Sequence, residues 1–223
     1  MAVEAPPPLH WYLPHGVKLA FSEASDGDMR VETQRQNWLQ RINRSGPCRV
    51  PRQIHGIEIA LSTDTKRLTT ADGVISHDDQ SIGVYGADCP GICIANPHLI
   101  GLAHCGWRGT AAGIIPRLIA AMSSETSDAR STWQAFIGPG ICARHYEVDD
   151  PVLNARIWPD GTFTPHGPHH AYLNLAAAIT WDLQQSRIED IQQSNICTHE
   201  DPRLHSYRWQ GLGPIQLLAA WRH

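Results

Sequence analysis

The chain has 223 residues, of which 42% are hydrophobic and 18% are charged, and its formal net charge is -4. This length can bury the core of one domain, and the weak negative charge excludes the basic surface typical of nucleic-acid binding. No apolar run reaches the roughly 20 residues of a membrane span, and no basic segment followed by an apolar core opens the chain. We therefore expect a cytoplasmic protein with a small-molecule substrate, without a membrane or nucleic-acid partner, as a monomer or a weak homodimer.

The N-terminal segment is rich in proline, which fixes φ and lacks an N–H donor. We predict an extended lead-in over residues 1–16 and a single domain over residues 17–223. The six cysteines show no framework spacing in a chain of this size, so we expect reduced thiols.

Hydrophobic periodicity predicts a helix followed by a series of buried strands. Residues 31–43 place apolar side chains at helical spacing, which is typical of an amphipathic surface helix. Short runs rich in Ile and Val, closed by Gly, Pro or Asn, then predict buried strands. These strands are expected at residues 57–61, 82–85, 92–95, 100–103 and 133–137.

The remaining elements mix helices and strands. Helical spacing of apolar residues predicts helices over residues 109–122 and 173–183. A short strand is expected at residues 196–198, and residues 215–221 close the chain as a strand or a helix. This loose alternation indicates an α/β or α+β fold with a mixed sheet.

Three segments at the ends of predicted strands, each of which ends beside glycine or proline, carry the polar side chains His55, Cys89 and His104. A neighbouring glycine lets ligand and backbone approach closely, while the strand holds the direction of the side chain. Zinc favours a set of two imidazoles and one thiolate. Three protein ligands are typical of catalytic zinc, whose fourth position holds water or substrate.

Each of these residues also has a structural interpretation. A cysteine at a strand end is more often a small buried hydrophobe, and an isolated histidine is more often a satisfied hydrogen-bonding residue. The three positions match no short zinc-binding spacing. From the residues alone, a metal site and a structural role both stay open.

Five short motifs follow one another along the chain, at residues 53–56, 71–76, 87–90, 103–110 and 137–148. The His-Cys-Gly-Trp-Arg-Gly run and the upstream Ala-Asp-Cys are highly specific. In order and spacing these motifs resemble the YfiH-like family, whose members carry a laccase domain and were first named polyphenol oxidases. The similarity covers the chain from about residue 17 onward.

The resemblance implies a layered α/β/β/α fold with mixed sheets, related to the catalytic domain of cytotoxic necrotizing factor. It also implies a zinc bound by His55, Cys89 and His104, in an enzyme of purine nucleosides. Such an enzyme cleaves adenosine and inosine with phosphate and also deaminates adenosine. Family alternatives are a copper-dependent polyphenol oxidase and a hydrolase that edits peptidoglycan precursors. One His-Cys-His set has too few ligands for the several coppers of a laccase, which favours zinc over copper.

This hypothesis gives four further residues a role. Arg108 joins the catalytic set by balancing anionic charge near the metal. Gln53 and Asp72 orient the substrate or a ligand, and Arg208 is a candidate contact for an anionic substrate. Two structural alternatives stay open: Asp72 as a turn residue, and Arg108 in an ion pair at the start of a helix.

The chain departs from the family pattern at basic positions. Residues 23–26, Glu-Ala-Ser-Asp, stand where the family usually has Thr-Arg and two glycines. Residues 205–209, His-Ser-Tyr-Arg-Trp, replace an aromatic-Ser-Tyr-Arg-Arg run, so that Arg208 is the only basic residue of that run that is retained. Loss of cationic partners weakens phosphate binding and leaves the metal ligands untouched.

Two other functions also stay open. Cys89 can act as a thiolate nucleophile with His104 as its base, as in cysteine hydrolases, and His55 then only orients the site. The altered basic residues are also compatible with a scaffold or regulatory protein that has lost turnover. We interpret Cys93 and Cys105 as packing residues.

Overall fold

A computed structural model describes residues 9–77 and 79–222. The strands are β1 His10–Leu13, β2 Val17–Phe21, β3 Cys48–Arg49, β4 Ile59–Leu61, β5 Gly73–Ser76, β6 Ser81–Gly86, β7 Gly91–Ala95, β8 Ile100–His104, β9 Gln134–Ile137, β10 Glu147–Asp149, β11 Phe163–Pro165, β12 His170–Leu173, β13 Asp190–Gln193 and β14 Gln216–Arg222. The helices are α1 Glu32–Arg41, α2 Trp107–Ala112, α3 Ile114–Glu125, α4 Asp150–Leu153, α5 Leu175–Gln185 and α6 Tyr207–Gln210. Among the described helices, none combines the length and apolar character needed to cross a membrane.

The strands build two large mixed sheets and one small sheet. The larger sheet has the order β13-β9-β7-β8-β5-β4, the second has β1-β2-β14-β6-β3, and the small sheet has β10-β12-β11. In the larger sheet the β13–β9 and β4–β5 pairs are parallel and the other pairs are antiparallel. The prediction of an α/β fold with mixed sheets is confirmed.

The helices and the two large sheets form four layers, and buried side chains pack between them. Helices α3 and α5 cover one face of the larger sheet with residues such as Leu118. The other face packs on the second sheet, where Leu102 and Leu218 belong to one apolar cluster. Helix α1 covers the outer face of the second sheet through Trp38. Successive residues of a strand face opposite sides, so one strand contributes to two of these interfaces. This is the α/β/β/α order that the family resemblance implied.

Two predicted elements differ in the structure. Residues 196–198 form no strand, because Cys197 makes only an isolated bridge with Gly140. The edge strand of the larger sheet is β13 instead, whose largely exposed Asp-Ile-Gln-Gln sequence lacks the apolar pattern that predicts a strand. The helix expected at 109–122 is divided into α2 and α3, since Gly113 has a left-handed φ of 89°.

The predicted lead-in lies partly outside the described residues, which begin at residue 9. Within it, β1 pairs antiparallel with β2 and becomes an edge strand of the second sheet. At the other end of the chain, residues 215–221 lie largely in β14, which pairs with both β2 and β6. Strand β14 therefore lies in the middle of the second sheet.

Candidate metal centre

Three side chains from distant parts of the sequence converge where the two large sheets meet. His104 ends β8, Cys89 lies in the turn between β6 and β7, and His55 lies in the loop before β4. Their ligand atoms all lie within 4.8 Å of one another, and the two imidazole rings are edge-on with centroids 4.8 Å apart. His104 is buried while His55 is exposed. With small side-chain adjustments, two nitrogens and one sulfur at this separation can share one metal ion.

Asp72 is fully buried beneath this group and joins two of its members. Its carboxylate accepts hydrogen bonds from the backbone N–H groups of Ile54, His55 and Gly56 at 3.0, 2.9 and 2.8 Å. Nδ1 of His104 lies 3.0 Å from Oδ1 of Asp72. A carboxylate beside Nδ1 makes that nitrogen the donor and leaves Nε2 of His104 for a metal.

The charge of Asp72 follows from the same contacts. Burial raises the pKa of its carboxyl group, but the hydrogen bonds from His104, Ile54 and Gly56 outweigh that effect and hold the pKa below its ordinary value. Asp72 is therefore an anionic support for the loop that carries His55.

Two backbone features bring the ligands together. His55 has a left-handed φ of 61°, which non-glycine residues adopt rarely, and the bonds to Asp72 hold it there. A Cβ atom on Gly106 would lie 2.9 Å from Sγ of Cys89, 3.3 Å from Cδ2 of His55 and 3.6 Å from Cε1 of His104. The room for the three candidate ligands thus depends on the absence of a side chain at Gly106.

The thiol of Cys89 and the imidazole of His104 shift each other's protonation. Burial raises the pKa of Cys89, but the neighbouring imidazoles of His104 and His55 outweigh it and lower the pKa to about 6. Burial lowers the pKa of His104, but Cys89 and Asp72 outweigh it and raise the pKa to about 9. Without a metal, a thiolate beside an imidazolium is favoured at neutral pH. With a metal, the same setting supplies the thiolate ligand.

Asp88 fastens the turn that carries Cys89, a role that the sequence analysis did not assign. The hydroxyl of Thr198 and the backbone N–H of Arg208 donate to its two carboxylate oxygens, both at 2.6 Å. Its backbone carbonyl accepts from the N–H of Ile141 at 2.8 Å. Asp88 also has a positive φ of 89°, a conformation in which Asp is enriched. The sequence signal for this role is an Asp that directly precedes the predicted metal ligand Cys89.

The three candidate ligands open on a cavity of about 1000 Å³. Arg108 and Arg208 line it, and both guanidinium groups lie over aromatic rings. The Arg108 group lies 4.3 Å from the ring centre of Trp107, and the Arg208 group lies 5.1 Å from that of Tyr146. Nη1 of Arg208 also donates to the Glu147 carbonyl at 2.6 Å. These two guanidinium groups therefore border the space in front of the candidate ligands, and Arg30 and Arg52 also line the cavity.

Gln53 and Asp72, predicted to orient the substrate or a ligand, both make hydrogen bonds to the backbone. Nε2 of Gln53 donates to the Tyr85 carbonyl at 3.0 Å, and Oε1 of Gln53 accepts from the Tyr85 N–H at 2.7 Å. The Gln53 side chain thereby joins the His55 loop to β6, while it also lines the cavity. Asp72 does not line the cavity. Both residues position His55, whereas Arg108 and Arg208 face the space a substrate would fill.

The layered fold and the site define a class: mixed α/β proteins with a candidate His-Cys-His metal centre that opens on a large cavity. The family described as multi-copper polyphenol oxidoreductase laccase matches residues 15–216, and the chain belongs to this family. The family resemblance seen in the sequence motifs is confirmed.

Relatives with assigned names are similar over most of the chain. A purine nucleoside phosphorylase of Xylella fastidiosa is 28% identical over 201 residues, which cover 83% of this chain and 76% of the relative. A purine nucleoside phosphorylase of Campylobacter jejuni is 28% identical over 159 residues, which cover 70% of this chain and 69% of the relative.

Solved structures share the fold at lower identity. YlmD from Geobacillus stearothermophilus has a TM-score of 0.85 at 21% identity, with 97% of this chain and 100% of that chain covered. A Neisseria meningitidis protein has a TM-score of 0.84 at 22% identity, with 95% and 96% covered. The Bacillus licheniformis protein YfiH has a TM-score of 0.84 at 20% identity, with 93% of both chains covered.

Proposed function

We propose that this chain is a zinc-dependent enzyme that cleaves adenosine and inosine with phosphate and also deaminates adenosine. The observation that carries the proposal is the convergence of His55, Cys89 and His104 at one side of a large cavity. The names of the relatives, purine nucleoside phosphorylases at 28% identity, support the substrate class.

The donor set fits zinc. Asp72 supports His104 from behind in the way that carboxylates support histidines bound to zinc, and Cys89 is readily deprotonated in this setting. When bound, zinc supplies a positive centre that attracts phosphate and polarises water. Several coppers would need more ligands. Among the described residues, the one other group with metal-ligand spacing is Cys142, Cys197 and Glu200, which contains no histidine.

The cavity walls supply the remaining functions. Arg108 and Arg208 offer guanidinium groups to an anionic phosphate, the partner with which their hydrogen bonds are strongest. The exposed Tyr207 gives an aromatic surface on the cavity wall, on which a flat purine can pack. Phosphorolysis joins phosphate to the ribose carbon and releases the free base. The cavity must therefore hold the phosphate and the nucleoside together, next to His55, Cys89 and His104.

The test is metal analysis of the purified protein together with phosphate-dependent release of base from adenosine and inosine. We expect one equivalent of zinc, base release only with phosphate, and loss of both in Cys89→Ser. Cys48→Ser is the matched control, because Cys48 lies on β3 and packs, partly buried, against the core cluster on the outer side of the second sheet. If the protein binds zinc but turns over neither nucleoside, the proposed substrate is wrong and the proposed metal site stands.

A second candidate function is a cysteine hydrolase. The observation in its favour is the series Cys89, His104 and Asp72, in which a carboxylate orients an imidazole beside a thiol of lowered pKa. The two functions differ in His55, which a thiol mechanism does not need as a ligand. If His55→Ala removes zinc and activity together, the metal mechanism holds. If activity survives without zinc, the thiol mechanism holds.

A further inference from the structure

A second pair of sulfur atoms lies outside the metal centre. Sγ of Cys142 and Sγ of Cys197 are 2.8 Å apart, although 55 positions separate the residues in sequence. Cys197 is buried and Cys142 is partly exposed. Both line a cavity of about 360 Å³ that does not include the candidate metal ligands. The Cys142 thiol is therefore accessible from solvent, and the Cys197 thiol contacts it from the buried side.

The backbone holds these two segments side by side. Gly140 and Cys197 form a parallel bridge, in which the Gly140 N–H donates to the Ile196 carbonyl and the Thr198 N–H donates to the Gly140 carbonyl. The N–H of Cys142 itself lies 3.2 Å from Sγ of Cys197. Backbone hydrogen bonds between the two chain segments thus bring the two sulfur atoms into contact.

The charges around the pair do not favour a metal ion. Glu200 is the nearest carboxylate, with Oε1 3.6 Å from Sγ of Cys142. Its oxygens already accept from Arg144 at 2.9 Å and pair with His145 at 2.8 Å. A guanidinium beside the thiols repels a divalent cation but is compatible with a neutral sulfur–sulfur bond.

We propose that Cys142 and Cys197 form a reversible disulfide, with oxidised glutathione or a similar small disulfide as the oxidant. The Cys142 thiol first gives its proton to water, and the thiolate then attacks one sulfur of the oxidant so that one glutathione thiolate leaves. The Cys197 thiolate then attacks Sγ of the mixed disulfide and releases the second glutathione. The two cysteines lose two electrons and two protons, and the small disulfide becomes two thiols.

This disulfide would lie next to residues that hold the turn of the candidate metal ligand Cys89. Thr198, the neighbour of Cys197, donates to Asp88, which directly precedes Cys89. The crosslink would therefore tie the segment at residue 142 to the segment that holds the Cys89 turn. Closing a loop of this length is expected to raise the Tm by about 5 °C or more.

The experiment exposes the native zinc-loaded protein to oxidised glutathione at pH 8 and quenches it with an alkylating agent. We expect the oxidised protein to carry two fewer alkyl groups than the reduced control and no bound glutathione, and to give a tryptic product that joins residues 131–144 to residues 188–203. Dithiothreitol should separate the two peptides. The product should be absent in Cys142→Ser and unchanged in Cys48→Ser, and the Tm should rise in the wild type only on oxidation.

Three results would overturn the proposal. One is a linked product that forms in urea but not in the native protein. Another is stable addition of glutathione to Cys142 without resolution by Cys197. The third is a second equivalent of zinc that Cys142→Ser removes, which would make the pair a metal site instead.

Discussion

The carboxylate of Asp72 lies 3.0 Å from Nδ1 of His104 and also accepts the backbone N–H of His55. Asp72→Asn replaces one acceptor oxygen by an NH2 group that faces donors, so two ligands lose their support. We expect zinc affinity to fall roughly 10-fold to 100-fold, the range for loss of a carboxylate behind a metal-bound histidine. Competition with a chromogenic chelator measures this change.

Asp64→Asn is the matched control for that variant. Its Oδ1 also accepts backbone N–H groups, from Lys66 and Arg67, but in an exposed turn. It should leave zinc affinity unchanged. Equal zinc affinity in Asp72→Asn and wild type would show that Asp72 does not support the metal centre.

Gly106→Ala tests the room between the ligands. The added Cβ would press on Sγ of Cys89 at 2.9 Å, a separation that requires the ligands to shift. We expect zinc affinity and phosphate-dependent activity to fall at least about tenfold while the far-ultraviolet circular dichroism stays unchanged. Ala112→Ser, exposed on α2, is the control and should retain both. Full zinc binding by Gly106→Ala would contradict the packing argument.

The alkylation rate of Cys89 in metal-free protein tests the electrostatics of the site. Because the folded pKa is lowered to about 6, the thiolate persists down to pH 6 and is lost only below it. An ordinary cysteine loses its thiolate below about pH 8.5. The rate with iodoacetamide should therefore be half-maximal near pH 6 and level above pH 7.

His104→Gln is the informative variant for that profile. It removes the larger of the two imidazole contributions that oppose burial, so the midpoint should rise above pH 6. Peptide mapping after limited alkylation assigns the rate to Cys89. An unchanged midpoint in His104→Gln would refute the pairing of these two groups.

Arg108→Gln tests the anion-binding role of the cavity wall. Arg108 is exposed and stacks on Trp107, so its loss should not unfold the chain. We expect the KM for phosphate to rise roughly tenfold, the effect of losing one charge-assisted hydrogen bond, with zinc content unchanged. Arg117→Gln, exposed on α3, should behave as wild type. An unchanged KM in Arg108→Gln would remove this residue from the site.

Local sequence patterns predicted several strands of the core but not the buried strands β2 and β5. Buried strands β7 and β8 are short runs of apolar residues closed by glycine, proline or polar residues, and they lie where periodicity placed them. Strand β13 was missed because an exposed polar edge strand carries no hydrophobic pattern. Strand β13 forms because it pairs with β9, and the backbone hydrogen bonds of that pair do not depend on side-chain polarity.

The sequence by itself determined the layered α/β class, the family and the identity of His55, Cys89 and His104 as candidates, because these depend on periodicity and on specific short runs. Only the tertiary structure decided the roles of their neighbours. Asp72 beneath the ligands is a carboxylate whose partners come from two segments. Cys142 and Cys197 meet across 55 positions. Such contacts are made by segments distant in sequence, and no local pattern records which of them fold against each other.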